Sequence, residues 1–290
     1  MTYANPQLLI EPAELAERIG DSSLRIYDAT VYLKPAEKGY RAESGLEAYR
    51  QGHIPGAVFM DQIAAISDTS SGLGFTLPAE DYLQSAFREL GINNDAQVVI
   101  YSTGHMMWAT RAWWLLHYAG HSSVAVLNGG FAGWQAVAGA LSQHDEHYPP
   151  GDFTLRARPS KFIDQAGVLA AIGDPAVCTV NALNPGVYAG SAAMSYGRKG
   201  HITGSINLFY DDLLDGDRFR GAQAISESLR QKKLLEAQRV VTYCGGGISA
   251  TIDAFACLLV GKEEVAVYDG SMAEWVRDES LPMTEGELAD

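Results

Sequence analysis

The sequence predicts an α/β fold that occurs twice in tandem, with a mostly parallel central sheet flanked by helices in each copy. Short runs rich in β-branched residues alternate with helical stretches, and glycines mark the connections. The same series of short motifs also appears twice, in the same order. At 290 residues, the chain is long enough for two domains with separate cores.

The repeat is clearest in two Gly-His-Ile turns, at 52–57 and 200–205. The other matched segments are 98–102 with 240–244, 124–130 with 265–271, and Trp134 with Trp275. Because the repeating unit is a whole domain, we interpret the pattern as a duplication. It predicts a first domain at 1–140, a linker at 141–160 and a second domain at 161–290.

Each copy supplies strands and helices in alternation. The sequence predicts strands at 24–28, 98–102, 177–181 and 240–243, and helices at 80–90, 109–118, 225–235 and 249–260. The linker segment contains three prolines and a glycine and has no sustained hydrophobic period.

The stretch at 239–261 carries the most chemical information. A β-branched run ends at Cys244, three glycines follow, and an apolar helical segment comes next. Residues without Cβ allow the main chain to fold into a cup of N–H groups, and the following helix directs its unpaired amides the same way. Such donors favour a thiolate over a thiol. We therefore interpret Cys244 as a nucleophile.

Two other readings of this stretch are open. A single cysteine after a buried strand is often only a small packed side chain, although packing alone does not require three glycines. Alternatively, Gly245, Gly247 and Ala250 form a G-x-G-x-x-A pattern, with Asp269 at the end of the next strand, as in dinucleotide-binding sites. However, only about one strand-helix unit follows, and the first copy has Ser102 and no glycine run at this turn.

Composition and charge limit the class of protein. The net charge of −14 argues against nucleic-acid and anionic-membrane partners. Three cysteines give no disulfide framework and are typical of a reducing compartment. The first ten residues lack a signal-peptide pattern, and no apolar run is long enough to span a bilayer. We expect a soluble, cytoplasmic protein.

Seven motifs lie along nearly the whole chain, at residues 28–33, 52–57, 111–114, 128–131, 200–207, 244–250 and 269–275. In this order they resemble the motifs of the tandem rhodanese sulfurtransferases. The resemblance implies an inactive first domain, with Ser102 at its pseudo-site, and a catalytic second domain. It implies a persulfide on Cys244, held by a loop whose members are Gly245, Gly246, Gly247, Ile248, Ser249 and Ala250.

The resemblance also implies the reaction. Sulfur would pass from thiosulfate or 3-mercaptopyruvate to cyanide or a thiol, in a cycle without metal or organic cofactor. A thioredoxin-like thiol protein is a further candidate acceptor. A related loop built for phosphate would place Arg where this chain has Ala250, which argues against phosphatase chemistry.

Three departures from the family leave the donor open. The loop has no basic residue of the kind that thiosulfate-selective members use. The mercaptopyruvate type has a hydroxyl residue where this chain has Gly246, and a substrate-binding Arg where it has Val187. Arg198 and Lys199 are the nearest alternative cations, and they are equally consistent with a solvated loop. Asp61 matches an acidic residue that the mercaptopyruvate type keeps near its cysteine.

These departures keep three classes of function open. The first is a sulfurtransferase enzyme, the second a non-catalytic sulfur carrier or interaction module, and the third a dinucleotide-binding protein. Three measurements distinguish these classes. An enzyme loads sulfur on Cys244 and turns over with small acceptors, a carrier loads sulfur without turnover, and a dinucleotide-binding protein shows a thermal shift with NAD or NADP.

Overall fold

The computed structural model describes residues 2–36 and 40–286 of the chain. Residues 1 and 290, the outer limits of the two predicted domains, lie outside the described residues. Across the described residues, no helix has the length and apolar character needed to cross a membrane.

The first half of the chain forms one five-stranded sheet and one separate hairpin. Its strands are β1 (Leu9–Ile10), β2 (Leu24–Asp28), β3 (Val31–Pro35), β4 (Tyr40–Ser44), β5 (Ala57–Phe59), β6 (Gln97–Tyr101) and β7 (Val124–Leu127). Its helices are α1 (Pro12–Glu17), α2 (Leu46–Gln51), α3 (Glu80–Glu89), α4 (Met107–Tyr118) and α5 (Gly130–Ala136). The sheet order is β1-β7-β6-β2-β5, with every pair parallel, while β3 and β4 pair antiparallel.

The second half repeats this arrangement. Its strands are β8 (Phe162–Ile163), β9 (Val177–Asn181), β10 (His201–Ile202), β11 (Ile206–Asn207), β12 (Leu214–Asp215), β13 (Arg218–Phe219), β14 (Arg239–Tyr243), β15 (Val265–Tyr268) and β16 (Met283–Thr284). Its helices are α6 (Gln165–Ala171), α7 (Pro185–Tyr188), α8 (Ala222–Gln231), α9 (Ala250–Leu259) and α10 (Ser271–Trp275). The sheet order is β8-β15-β14-β9-β11, again with every pair parallel.

The matching strand orders confirm the predicted α/β fold and its duplication. β6 and β14 are the central strands, and Ser102 and Cys244 are the residues that follow them. Because the carboxyl ends of parallel strands meet at one edge of a sheet, both residues lie where α/β proteins place their sites.

Most predicted elements are confirmed, and one helix is displaced. The strands predicted at 24–28 and 177–181 are β2 and β9. The helix predicted at 225–235 is α8, which begins at Ala222 and ends at Gln231. It ends early because Lys233 has a φ of +60°, which a right-handed helix cannot contain.

Helices α4 and α9 pack against each other and join the two halves. Thr110 Oγ1 and Thr251 Oγ1 are 2.8 Å apart, and the ring of Phe255 meets Trp113 edge-on with centroids 4.8 Å apart. Every residue of α9 is buried. The helix that follows Cys244 is therefore buried partly by the first half of the chain.

The predicted linker, 141–160, lies against the first sheet. Tyr148 Oη donates to Gly56 O at 2.6 Å, and Arg156 N donates to Ala119 O at 2.8 Å. Phe153 is buried. The segment is thus held in place, while the domain limits on either side of it stay a prediction.

The two Gly-His-Ile turns have a structural role. His53 Nδ1 is 2.8 Å from Tyr49 O, and the two rings stack with centroids 3.8 Å apart. His201 repeats this geometry with Tyr188, at 2.9 Å and 3.7 Å. Among the described residues, no group of three or more His, Cys, Asp or Glu side chains has the arrangement of a metal site.

Candidate active site

The main chain of Cys244 is fixed on both sides. Its amide donates to Ser271 Oγ at 3.1 Å, and its carbonyl accepts from Met272 N at 3.1 Å. Ser271 adopts a φ of +49°, and its hydroxyl also donates to Tyr268 O at 2.7 Å. These bonds connect the end of β14 to the start of α10 and set the position of the thiol.

The loop after Cys244 presents unpaired amides. Within the described residues, none of the main-chain N–H groups of 245–250 donates to a protein acceptor. Thr242 Oγ1 donates to Ala250 O at 2.9 Å and so ties the first turn of α9 to β14. A buried N–H without a partner costs free energy, and consecutive free amides are donors of the kind that hold an anion in other proteins.

In the corresponding loop of the first half, side chains accept hydrogen bonds from three main-chain N–H groups. Thr103 N donates to Thr30 Oγ1 at 2.8 Å, and Gly104 N donates to Ser102 Oγ at 3.1 Å. Met107 N donates to His105 Nδ1 at 3.1 Å. Side chains thus accept from main-chain donors of the loop after Ser102, while the matching donors of the second copy are free.

At two of the three positions, steric contacts explain why the residue is glycine. A Cβ on Gly245 would overlap the hydroxyl end of Tyr196, and a Cβ on Gly247, where φ is +75°, would lie 2.5 Å from Asp269 O. Gly246 differs, because a Cβ there meets nothing within 4 Å and the residue is half-buried. The loop therefore borders open space at Gly246, next to a cysteine that is 2% exposed.

Tyrosines surround the thiol. Burial raises the pKa of Tyr196, and nearby Cys244, Tyr40 and Tyr210 raise it further. Burial likewise raises the pKa of Tyr210 to about 12, with contributions from Asp211, Cys244 and Tyr40. Tyr40 belongs to the β3–β4 hairpin, so the first half of the chain contributes to the surroundings of Tyr196 and Tyr210.

A second contribution from the first half is Arg111, on α4. Its Nη1 is 2.6 Å from Asp269 Oδ1 and 3.3 Å from Gly247 O, and its Nη2 donates to Phe75 O. Leu77 N donates to Asp269 Oδ2 at 2.5 Å. In the dinucleotide-binding hypothesis, the Asp269 carboxylate binds a ribose. In the structure this carboxylate already accepts hydrogen bonds from Arg111 and from the main-chain N–H of Leu77.

A buried carboxyl group lies behind the thiol. Asp253 is fully buried on α9, and neither of its carboxyl oxygens has a hydrogen-bond partner among the described residues. Burial raises the pKa of Asp253 well above its ordinary value, and the charges of Cys244 and Asp212 raise it further. Both effects favour the neutral form of the carboxyl group.

The other two cysteines are in different surroundings. Burial raises the pKa of Cys178 to about 11, and burial also raises the pKa of Cys257, on α9. Both thiols are protonated at neutral pH and are weak nucleophiles.

The residues predicted to bind substrate have hydrogen-bond partners outside the loop at 245–250 or are exposed. Arg198 donates to Asp278 O at 3.1 Å and to Leu281 O at 3.0 Å, so its guanidinium is engaged by the C-terminal segment. Lys199 is exposed. Asp61 accepts from Ile63 N at 2.8 Å and Ala64 N at 3.1 Å, which caps a turn. None of these hydrogen bonds reaches the loop at 245–250.

Sequence reasoning singled out the cysteine and its loop as the candidate site but missed most of the residues around them. Tyr196 and Tyr210 lie in segments without a motif, and no local pattern marks them. Arg111 belongs to a segment of the resemblance, yet only the structure shows which carbonyl and carboxylate it binds. Asp253 carried a signal, because a carboxylate inside an apolar helical segment is unusual.

Comparisons with known proteins agree with this architecture. The rhodanese-like domain family matches residues 11–137 and 188–278. The chain is 30% identical over 274 residues to the 3-mercaptopyruvate sulfurtransferase of Escherichia coli strain K12, with 93% of this chain and 95% of that protein covered. It is 32% identical over 273 residues to the thiosulfate sulfurtransferase of Gallus gallus, with 92% and 90% covered.

A solved structure shows the same fold. The crystal structure of the 3-mercaptopyruvate sulfotransferase SseA from Escherichia coli superposes with a TM-score of 0.81 at 29% identity. The match covers 92% of this chain and 99% of the other.

Proposed function

The chain belongs to the rhodanese-like family, and on that premise we propose that it is a sulfurtransferase whose Cys244 carries sulfur as a persulfide. The Cys244 thiolate attacks the transferable sulfur of the donor. The bond from this sulfur to the rest of the donor breaks, which is the S–S bond of thiosulfate or the C–S bond of 3-mercaptopyruvate. Sulfite leaves if the donor is thiosulfate, and the enolate of pyruvate leaves if it is 3-mercaptopyruvate. An acceptor, cyanide or a thiolate, then takes the outer sulfur and restores the Cys244 thiolate.

The observation that carries this proposal is the set of free amides at 245–250. A persulfide anion on Cys244 extends the negative charge by one sulfur atom, and the loop after Cys244 offers donors for such a charge. The proposal assigns Gly245 to Ala250 to persulfide binding. It assigns the first domain, with Ser102, a non-catalytic role.

Mass spectrometry tests the central step. After mixing with thiosulfate or 3-mercaptopyruvate, the peptide that contains Cys244 should gain one sulfur atom, and cyanide should remove it. Cys244→Ser should abolish both loading and turnover. Cys178→Ser is the matched control and should retain both, because its protonated thiol has no part in the cycle. An unmodified but alkylatable Cys244 would contradict the proposal.

A non-catalytic sulfur carrier is the second candidate. It is favoured by Gly246 and Val187, which stand where the resemblance implies a hydroxyl residue and an Arg. A carrier would load one sulfur on Cys244 and show no turnover with cyanide or small thiols. Steady-state rates with both donors at matched concentrations separate the two candidates and measure the donor preference.

We also propose that the protein is located in a reducing compartment. All three cysteines are free thiols, which supports a location in the cytoplasm. A thioredoxin-like protein, which presents a nucleophilic thiolate, is one candidate acceptor there. Discharge of the Cys244 persulfide by reduced thioredoxin would test this proposal.

A further inference from the structure

The phenol of Tyr196 lies against the main chain that follows Cys244. A Cβ added to Gly245 would overlap its hydroxyl oxygen and the adjoining ring carbons. Because a carbon–carbon bond at Cα is only about 1.5 Å long, this overlap places the hydroxyl oxygen within about 4 Å of Gly245 Cα. Gly245 directly follows Cys244. The hydroxyl therefore lies at the start of the loop at 245–250.

The hydroxyl of Tyr196 has no partner in the described part of the chain. Its oxygen forms no hydrogen bond with another side chain or with the main chain there. Burial raises the pKa of Tyr196, so the phenol stays protonated at neutral pH. A protonated hydroxyl without a partner is a donor that a bound molecule can use.

Contacts on the second half hold Tyr196 in this place, although its segment contains no helix or strand. Its ring packs against the apolar cluster that contains Trp275. Two residues later, Arg198 donates to Asp278 O at 3.1 Å and to Leu281 O at 3.0 Å. Arg198, predicted as a substrate-binding residue, is thus engaged in anchoring the segment that carries Tyr196.

Open space borders the next residue of the loop. A Cβ added to Gly246 meets nothing within 4 Å. A sulfur atom bonded to Cys244 extends about 2.0 Å beyond Sγ. A donor that occupies this space while its sulfur contacts Cys244 spans Gly245, beside the Tyr196 hydroxyl.

The two donors of the proposed function differ by one proton. The transferable sulfur of 3-mercaptopyruvate is a thiol, which at an ordinary pKa of about 8.5 is mostly protonated at pH 7. When the C–S bond breaks, the enolate needs a proton to become pyruvate. The transferable sulfur of thiosulfate carries no proton, and sulfite needs none to leave. A proton donor beside the loop therefore accelerates only the first reaction.

We propose that Tyr196 is a catalytic residue that relays this proton when 3-mercaptopyruvate loads Cys244. The phenol O–H bond breaks as a C–H bond forms on the enolate, which leaves as pyruvate. The S–H bond of the new persulfide then breaks, and its proton restores the phenol. A Cys244 thiolate becomes a Cys244 persulfide anion, so atoms and charge balance without a further reagent. This role rests on the proposed function and deepens it.

Single-turnover loading tests the relay. Tyr196→Phe removes only the hydroxyl, and 3-mercaptopyruvate should then load Cys244 about a hundredfold more slowly, as the loss of a general acid allows. Loading from thiosulfate and alkylation of Cys244 by iodoacetamide need no proton relay, so both should keep their rates. Tyr32→Phe is the matched control, because it removes a hydroxyl that pairs with Thr103 in the first half. It should leave all three rates unchanged.

Three results would overturn the relay. Equal slowing of loading and alkylation in Tyr196→Phe would mean that the tyrosine only shapes the site. Unchanged loading from 3-mercaptopyruvate would exclude a proton from Tyr196. A wild-type protein that loads only from thiosulfate would have no use for the relay, while the sulfurtransferase function would stand. A wild-type Cys244 that is alkylated but loads from neither donor would instead refute the proposed function, and the relay with it.

A hydroxyl supplied at Gly246 provides a second arm. Gly246→Ser in the Tyr196→Phe background places a hydroxyl in the open space beside the loop. We expect it to raise the loading rate with 3-mercaptopyruvate severalfold, while Gly246→Ala in the same background gives no recovery. Equal recovery with alanine would assign the loss in Tyr196→Phe to packing and overturn the relay.

Discussion

Gly247 occupies a position in the loop at 245–250 that a side chain would strain. Its φ is +75°, and a Cβ would lie 2.5 Å from the main-chain oxygen of Asp269, the residue that follows β15. We expect Gly247→Ala to lower the free energy of unfolding by about 1–3 kcal/mol. Gly246→Ala is the control for stability, since its Cβ meets nothing within 4 Å. Urea denaturation measures the free energy of unfolding of both variants. Equal losses would contradict the proposed contact between the Cβ at position 247 and Asp269 O.

Asp28 is a buried carboxyl group in the first half whose ionisation the fold disfavours. Burial raises its pKa from 3.8 to about 6, although hydrogen bonds from Thr30 oppose the shift. The folded protein therefore binds more protons than the unfolded chain between these values. The folding free energy from this group is most favourable below about pH 4, weakens as pH rises to about 6, and stays reduced above that pH.

Asp28→Asn should remove this pH dependence. Asparagine carries no charge, and Asn181 stands at the corresponding position of the second half. At pH 7 we expect the variant to be more stable by about 3 kcal/mol, since the pKa of Asp28 rises by about two units and each unit is about 1.4 kcal/mol. Near pH 4 the difference should vanish. Urea denaturation at both values tests this sign, and a variant that is less stable at pH 7 would contradict it.

At the scale of elements, the loop at 245–250 depends on α4 of the first half. Arg111 joins Gly247 O to the Asp269 carboxylate, and the arginine is 1% exposed. Because truncation would leave Asp269 without its charge partner, we expect Arg111→Met to cost about 3–5 kcal/mol. Sulfur loading of Cys244 should fall with it.

A double-mutant cycle separates the ion pair from general packing. If the pair is the cause, Asp269→Asn should offset part of the Arg111→Met loss, with a coupling energy above about 1 kcal/mol by urea denaturation. Arg111→Lys is the conservative comparison, since it keeps the charge but lacks the planar fork. Additive losses would assign the effect to packing alone.

Strands, helices and loops could be predicted where a local sequence pattern marks them. β-branched runs and glycine turns marked the central strands, and the cysteine with its glycines marked the loop. The end of α8 was not predictable, because the left-handed conformation of Lys233 depends on tertiary packing rather than on residue type. Long-range partners also leave no local pattern. Tyr196 and Tyr210 come near Cys244 only through the fold of segments that carry no sequence motif.

At the scale of the whole molecule, the duplication was visible in the sequence, but the contact between the copies was not. An amphipathic helix shows that it must pack, without showing on which partner. The structure pairs α4 with α9, so the helices that follow Ser102 and Cys244 bury one another. Removing the first half would therefore expose the helix whose first turn adjoins the loop at 245–250.

This shared interface predicts that the two halves unfold together. Four of the five tryptophans lie in the first half, so fluorescence reports mainly on that half, while Cys257 is buried in α9. Thiol labelling of Cys257 in urea should follow the same transition as the fluorescence. Trp113→Ala, which removes the ring against Phe255, should shift both midpoints equally, at a cost of about 3–5 kcal/mol. Tyr82→Ala, at a 47% exposed position, should shift neither. If Cys257 stays protected after the fluorescence change is complete, the second half is stable without the first.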